Sequence, residues 1–496
     1  MKWANFLHFY QPVDQQPDIL EAVVAQCYRP VLEGFRNHKK IRLTVNINST
    51  LLELFDKYKY HDLLDILREL GKEGRIEFTS SAKYHPVLPF LSEKEIIRQI
   101  KLNNETSTFF LGEAFHPKGF FPPEMAYKKE LAPLIADLGF EWVILDEIAF
   151  PDNSHKIDYT KRYRIKDTAL DVFFRERRLS NLIMSAIVRS EESLLEALKD
   201  DIKSNRYVVT AMDGETFGHH RPGLEKTLFD IFSSDKLELV TMSDLIKSYP
   251  DVQEVGPVAS TWASSREDIE KNIQFLSWSD PENQIHALQW KFTTLVLESV
   301  YELAGDNPLF KEIRHKMDTA LASDHFWWAS AKPWWSLEMI EDGAFRLLDT
   351  IRSIPNISND KVSKARDYYE EIIKTAFNWQ RTGKIRLMMR EQTTRLRIPF
   401  KDKTLGAGGA EEGVYHAFID MIKKLEQEAS KKGEYEKSIL WRDALYKLDN
   451  KLDIYDAINA IDLLRTEIPH EEVEAIIEKY KEQYRKIRGG QPEQRG

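Results

Sequence analysis

Along the first 255 or so residues, short apolar runs rich in β-branched and aromatic side chains alternate with longer stretches whose apolar residues fall three and four apart. The runs Trp3–Leu7, Ile41–Ile47, Arg75–Thr79, Gly119–Pro122, Trp142–Leu145, Tyr207–Met212 and Leu237–Thr241 have the length and composition of buried strands. Helical patterns lie between most of them, with Leu51–Leu70 and Glu93–Phe110 as good examples. Strands alternating with amphipathic helices predict a parallel sheet wound with crossover helices. About seven such units in roughly 250 residues predict a TIM-like (β/α)7 barrel, one strand short of the full count.

The segment 153–205 interrupts the alternation. It holds Leu170–Arg175, an extra strand, then a polar stretch and the helix Glu191–Lys203, and it reads as an insertion between barrel units. Beyond residue 255 strand signals become rare and helical periodicity takes over, in Lys311–Leu321, Met339–Ile351, Lys361–Thr382, Glu412–Lys432 and Tyr435–Leu448. The predicted organisation is a catalytic barrel over 1–255, a helical domain over 256–400 that contributes to the substrate cleft, and a helical extension over 401–496. The Gly-rich loop Lys403–Gly409 lacks the Lys-Ser/Thr ending of a phosphate loop, and the tail Arg488–Gly496 reads as disordered.

A chain of 496 residues is too long for one small core, in keeping with two or three domains. A net charge of −10 makes a nucleic-acid partner a poor fit, because nothing drives counterion release. The only cysteine, Cys27, excludes an intrachain disulfide and fits a reducing cytoplasm. The apolar run before His8 is too short for a signal peptide or a membrane span, so no membrane partner is expected.

Polar, chemically capable residues follow the predicted strands: His8 and Gln11 the first, Asn46 and Asn48 the second, Glu77 and His85 the third. Glu124 follows the fourth, Asp146 and Glu147 the fifth, Asp213 and Glu215 the sixth. Parallel barrels build their active sites at the C-terminal ends of the strands, so six strands would feed acids, amides and imidazoles to one rim. In Gly119-Phe-Phe-Pro-Pro-Glu124 the two prolines give a rigid mount for a nucleophilic carboxylate. The same Glu124 also suits the N-terminus of a helix Glu124–Ile135. In Asp213-Gly-Glu215-Thr-Phe-Gly218-His219-His220 two acids share one side of an extended chain, although an Asp-Gly surface turn would look similar. Two carboxylates from different strands are what a double-displacement glycosidase requires, at about 5–5.5 Å from each other. His8 and Gln11 suit sugar hydroxyls, or a satisfied core histidine. His85 before Pro86 suits a hydroxyl donor, or an ordinary loop residue.

Taken together, His8-Phe-Tyr-Gln11-Pro12, Gly74-Arg-Ile-Glu77, Phe120-Phe-Pro-Pro-Glu124 and Asp213-Gly-Glu215-Thr-Phe-Gly218-His219 resemble, in order and spacing, the first four motifs of glycoside hydrolase family 57. The resemblance covers roughly residues 1–350. It implies an incomplete (β/α)7 barrel followed by a helical domain, and a retaining mechanism without metal or cofactor. It implies Glu124 as nucleophile, Asp213 as general acid/base, His8 in the sugar site and Glu77 as the second-motif acid. Members include α-amylases, 4-α-glucanotransferases, amylopullulanases, branching enzymes and α-galactosidases, so the implied partner is an α-glucan or oligosaccharide. The fifth motif should fall near Thr261-Trp262 or near Phe275–Asp280.

Asp324-His325-Phe-Trp327-Trp328 and Lys332-Pro-Trp334-Trp335 form an aromatic cluster in the helical half, fit either for a sugar platform or for packing between domains. The expected substrate-binding set is His8, Gln11, His85, Glu77, Glu215, His219, Trp262, Asp324, Trp327 and Trp328, with Arg175 and Ser180 as weaker subsite residues. Two other classes compete. A metal-dependent polysaccharide deacetylase or zinc α-mannosidase would need converging ligands, which His8, Asp213, His219 and His220 supply only in part. A glucan-binding relative without activity would not need both acids.

Overall fold

The computed structural model describes residues 1–395 and 412–450, apart from 152–156, 187, 189, 200, 201, 203, 304 and 333. The Lys403–Gly409 loop and the Arg488–Gly496 tail lie outside the described residues. The strands are β1 (Lys2–Phe9), β2 (Leu43–Ile47), β3 (Ile76–Phe78), β4 (Gly119–Phe120), β5 (Trp142–Asp146), β6 (Arg162–Ile165), β7 (Asp171–Arg175), β8 (Tyr207–Asp213), β9 (Glu238–Val240) and β10 (Val252–Val255).

β1 is central. It pairs in parallel with β8 along Lys2–His8, and its other edge is shared by β9 at Lys2–Ala4 and β2 at Phe6–Phe9. β2 pairs with β3, and a second sheet runs β10-β6-β7-β5-β4. A parallel bridge from Ser80 to Phe120 joins β3 to β4, and Glu176 N donates to Val209 O at 2.7 Å, joining β7 to β8. The ring therefore reads β1, β2, β3, β4, β5, β7, β8, an incomplete TIM-like barrel. Asp171–Arg175 takes its place in that ring, parallel to β5, while β6 pairs antiparallel to it and carries β10 on its outer edge.

Side-chain alternation along the strands sorts the core. Ala4, Phe6, Phe121, Ile144, Phe173, Val209 and Ala211 share one cluster inside the ring. Trp3, Leu7, Phe9, Val45, Val208 and Met212 point outward into the largest core, against the surrounding helices. The Leu51–Leu70 pattern forms two helices, Ser49–Lys57 and His61–Lys72. The break falls at Lys59, whose left-handed φ of 63° turns the chain, while Tyr60 N closes on Phe55 O at 2.7 Å.

The helical domain packs Gln284–Tyr301, Phe310–Ala320, Leu337–Arg352 and Asn359–Thr382 around Phe292, Val296, Met317, Leu347 and Ile372. A buried ion-pair network docks it to the barrel helix Glu93–Leu111. Arg314 pairs with Glu95 and with Asp318 (2.9 Å), and Arg98 reaches Asp318 at 2.6 Å. This docking brings the segment after Ala320 to the barrel rim. Helices Glu412–Lys432 and Tyr435–Asn450 pack on each other. Among the described residues no helix is long and apolar enough to cross a membrane.

Candidate active site

Strand register assembles the first part of the site. His8 on β1 lies opposite Asn46 on β2 and opposite Asp213 on β8. Asn46 donates to Thr79 (3.1 Å) and accepts from His8 Nδ1 (2.8 Å), which leaves His8 Nε2 to accept from His85 Nε2 at 3.2 Å. Burial holds His8 down at about 4 and His85 well below its ordinary value, so both rings are neutral. His85 is fixed further by Ser323 Oγ, 3.0 Å from Nδ1, and by the stacked ring of Tyr10 at 4.2 Å.

Glu124 sits in the short turn Pro123–Met125, with φ of 61° at Glu124 and 47° at Met125. The helix that follows begins only at Leu131, so Glu124 is not its N-terminal acid. Neither residue is glycine, and this strained backbone projects the carboxyl group into the cleft. Its Oε2 accepts from Trp262 Nε1 at 2.8 Å, and its Oε1 lies 3.7 Å from His85 Nδ1. The Trp262 backbone N–H also donates to Glu124 O (3.2 Å), and Tyr127 and Ser260 exchange two backbone hydrogen bonds beside it. Burial, and next the charge of Asp213, raise Glu124 to about 8, against the pull of the Trp262 N–H. Asp213, at the end of β8, is raised to about 6 by burial, opposed by the charge of Arg175.

Glu215 accepts from the Tyr28 hydroxyl (2.5 Å) and from Tyr10 N (3.2 Å), and burial with the Asp213 charge lifts it to about 8. Gln11 donates to the same Tyr28 hydroxyl at 2.9 Å. Gly214 is required here, because a Cβ would lie 2.0 Å from the Phe9 ring. From the helical domain, Asp324 accepts from the Tyr10 hydroxyl at 2.6 Å, and its charge reaches Glu124.

His8, Gln11, His85, Glu124, Asp213, Glu215, Trp262 and Asp324 thus converge. Glu77 does not join them. Its register partner is Thr44, one inward-facing layer below Asn46, and its carboxylate bonds to Thr44 Oγ1 (3.0 Å) and Ser243 N (3.1 Å) near the N-terminal end of the barrel. His219 also stays apart, with Nδ1 on Gln26 Oε1 at 2.7 Å near the surface. Trp327 stacks on Trp334 at 4.5 Å and meets Trp328 edge-on, one helical turn after Asp324 in sequence. Of the two stretches considered for a fifth motif, Trp262 reaches Glu124, whereas Asp280 pairs with Lys332 at 2.6 Å. Arg175 is buried against Asp146 (2.6 Å), and the Ser180 hydroxyl bonds to Glu176 O, so both serve the scaffold at the end of β7. Tyr10, Tyr28 and Ser323 were not singled out by sequence. For Tyr10 a signal existed: it lies two residues after His8, on the same side of an extended chain.

A family model described as glycosyl hydrolase family 57 matches residues 5–258. An α-amylase of Pyrococcus horikoshii is 27% identical over 281 residues, covering 53% of this chain and 44% of that protein. A 4-α-glucanotransferase of Thermococcus litoralis is 26% identical over 264 residues, covering 50% and 39%. The match therefore spans less than half the length of these curated relatives. The solved 4-α-glucanotransferase of T. litoralis has a TM-score of 0.57 at 21% identity, over 71% of this chain and 60% of that one. A branching enzyme from Thermococcus kodakaraensis scores 0.59 at 15% identity, over 74% and 94%. At such identities the structural likeness speaks for the fold. The family model covers more than half of the sequence, including the strands and turns that carry His8, Glu124 and Asp213, and on that ground the chain belongs to glycoside hydrolase family 57.

Proposed function

We propose that this protein is a retaining enzyme acting on α-glucans, in which Glu124 forms the covalent glycosyl-enzyme and Asp213 is the general acid/base. The observation that carries this reading is the meeting of two buried carboxyl groups, one in the turn after β4 and one at the end of β8, near enough for the Asp213 charge to help raise Glu124 to about 8 while Asp213 stands at about 6. Between those values the pair holds one proton, which is the state a double displacement starts from. These values place that proton mainly on Glu124 in the empty site, and the reacting form, with Glu124 ionised and the proton on Asp213, is the minor arrangement of the same charge state, which the Trp262 N–H favours.

In the first step a Glu124 oxygen attacks the anomeric carbon while Asp213 gives its proton to the departing glycosidic oxygen. In the second, Asp213 takes a proton from water or from a sugar hydroxyl, whose oxygen displaces Glu124. Water gives hydrolysis and a sugar hydroxyl gives transfer. Glu215 and Asp324 offer carboxylate oxygens to sugar hydroxyls, the hydrogen-bonded pair His8 and His85 forms the wall beside Glu124, and Trp327 and Trp328 offer aromatic faces near Asp324.

The test incubates the protein with maltooligosaccharides and with starch, with and without a chelator, and analyses the products for shortening, disproportionation or new branches. Wild type should convert them in the presence of chelator, and Glu124→Gln should lose at least about a thousandfold in turnover with an unchanged circular dichroism spectrum. Wild-type activity in Glu124→Gln, or activity that vanishes with chelator, overturns the reading.

A further inference from the structure

Behind the two carboxyl groups lies one fully buried aspartate that serves two arginines. Asp146 ends β5 and caps the following turn through Oδ1 on Ile148 N (3.0 Å). Its Oδ2 accepts from Arg175 Nη1 at 2.6 Å, and its Oδ1 lies 3.6 Å from Arg177 Nε. The two arginines then diverge. Arg175 donates to Ala211 O (2.7 Å) on β8, two residues before Asp213. Arg177, the first residue of the helix Arg177–Met184, donates through Nη2 to two backbone carbonyls, Trp262 O (2.5 Å) and Ser264 O (2.7 Å). Those carbonyls belong to the loop whose indole and backbone N–H both bond to Glu124.

We propose that Arg177 is a positioning residue for Glu124, acting through Trp262: by fixing both carbonyls of the 262–264 turn it sets the aim of the indole N–H at the carboxylate. This rests on the reading of Glu124 as nucleophile. The guanidinium suits the task, since its rigid fork holds two acceptors in one plane, and Asp146 fixes the fork from behind. The charged groups around Arg177 are Asp146, Arg175, Glu147 and Arg266. Those that face Glu124 are His85, Asp213 and Asp324, with the neutral His8 ring behind His85. The turn has other anchors, in the Tyr127–Ser260 bridge and in Thr261 N on Ser264 Oγ (2.8 Å), so loss of Arg177 should loosen the indole without releasing the loop.

The experiment compares wild type, Arg177→Met, Arg177→Lys, Trp262→Phe, the Arg177→Met/Trp262→Phe double variant and Glu124→Gln. It measures kcat, KM and the pH dependence of kcat/KM on a maltooligosaccharide. Arg177→Met should lower kcat roughly ten- to a hundredfold with little change in KM, as a misaimed group in the cleft would. It should also move the pH profile upward, because an anion that loses a donor binds its proton more tightly. Lysine should restore part of the loss by reaching one carbonyl. The double variant should be no worse than Trp262→Phe alone, the signature of two groups acting as one. A merely structural role would lower Tm and leave the pH limbs where they are. That outcome in Arg177→Met, or in Arg177→Lys should the methionine variant not fold, overturns the proposal, as does a double variant whose losses multiply. Activity in Glu124→Gln would instead sink the reading of the site itself, whatever Arg177 does.

Discussion

The indole nitrogen of Trp262 donates to a carboxylate oxygen of Glu124 across 2.8 Å, joining two positions 138 residues apart. The contact places a neutral donor on one of two coupled acids and offsets part of the upward shift that burial and Asp213 impose on it. Its partner Asp213 has no such indole and feels the more distant charge of Arg175 instead. The two acids thus differ in neighbours: Glu124 has a hydrogen-bond donor in contact, Asp213 only a cation at a distance.

The pH profile should show it. Activity needs the pair with one proton. Below about 6 both carboxyl groups are protonated and the nucleophile is lost, and above about 8 both are ionised and the acid is lost. A bell-shaped kcat/KM with limbs near these values is expected from initial rates measured between about pH 4 and 10. A profile flat across that range would refute the assignment.

Stability should part from catalysis on the acid side and fall with it at alkaline pH. Glu124 and Glu215 each bind a proton more tightly in the folded protein than in the unfolded chain. The stabilisation this brings is complete below the ordinary glutamate value and is lost as pH rises through about 8. Glu124→Gln removes a buried ionisable group and should raise Tm by several degrees near pH 9, with no gain near pH 4. Paired thermal melts at the two values read this directly.

Tyr10, just past the end of β1, joins that end to the helical domain at Asp324. Tyr10→Phe removes a hydrogen bond to a buried carboxylate and should lower kcat/KM about ten- to a hundredfold. Steady-state kinetics decide it, and a variant within twofold of wild type would mean that Asp324 holds its place without the phenol.

The docking network should be costly to break. Arg314 is buried between Glu95 and Asp318, so Arg314→Met leaves buried Glu95 without its cation, while Asp318 keeps Arg98, and should cost about 3–5 kcal/mol in urea unfolding. Arg98 is about a third exposed, and Arg98→Met should cost about 1 kcal/mol.

Much of this arrangement was legible from periodicity. The buried strands β1, β2, β5 and β8 announce themselves because burial on both faces demands mostly apolar runs, broken only where a polar side chain turns into the barrel. β6 and β10 escape notice because they lie outside the ring: Val-Gln-Glu-Val is exposed at its first three residues, and the two arginines of Arg-Tyr-Arg-Ile are both paired with Asp171. The helix Gln284–Tyr301 is equally hard to read, since its apolar residues run most of the way round and blur the stripe. At the site, residues carried by strand ends follow from the pattern, as His8 and Asp213 do. Glu77 is misplaced by the same reasoning, because the alternation that marks an inward side chain is silent on which layer of the barrel it occupies. Contacts such as Tyr10 with Asp324 or Arg177 with Trp262 depend on how separate segments dock, which no local window contains.

The distance along the chain between Asp213 and Asp324 has a temporal meaning. During synthesis both proposed reacting acids leave the ribosome well before the segment that carries Ser323 and Asp324, so the nascent barrel holds its reactive pair beside an unfinished wall. The proposed site is therefore complete only when the second half has folded and locked on.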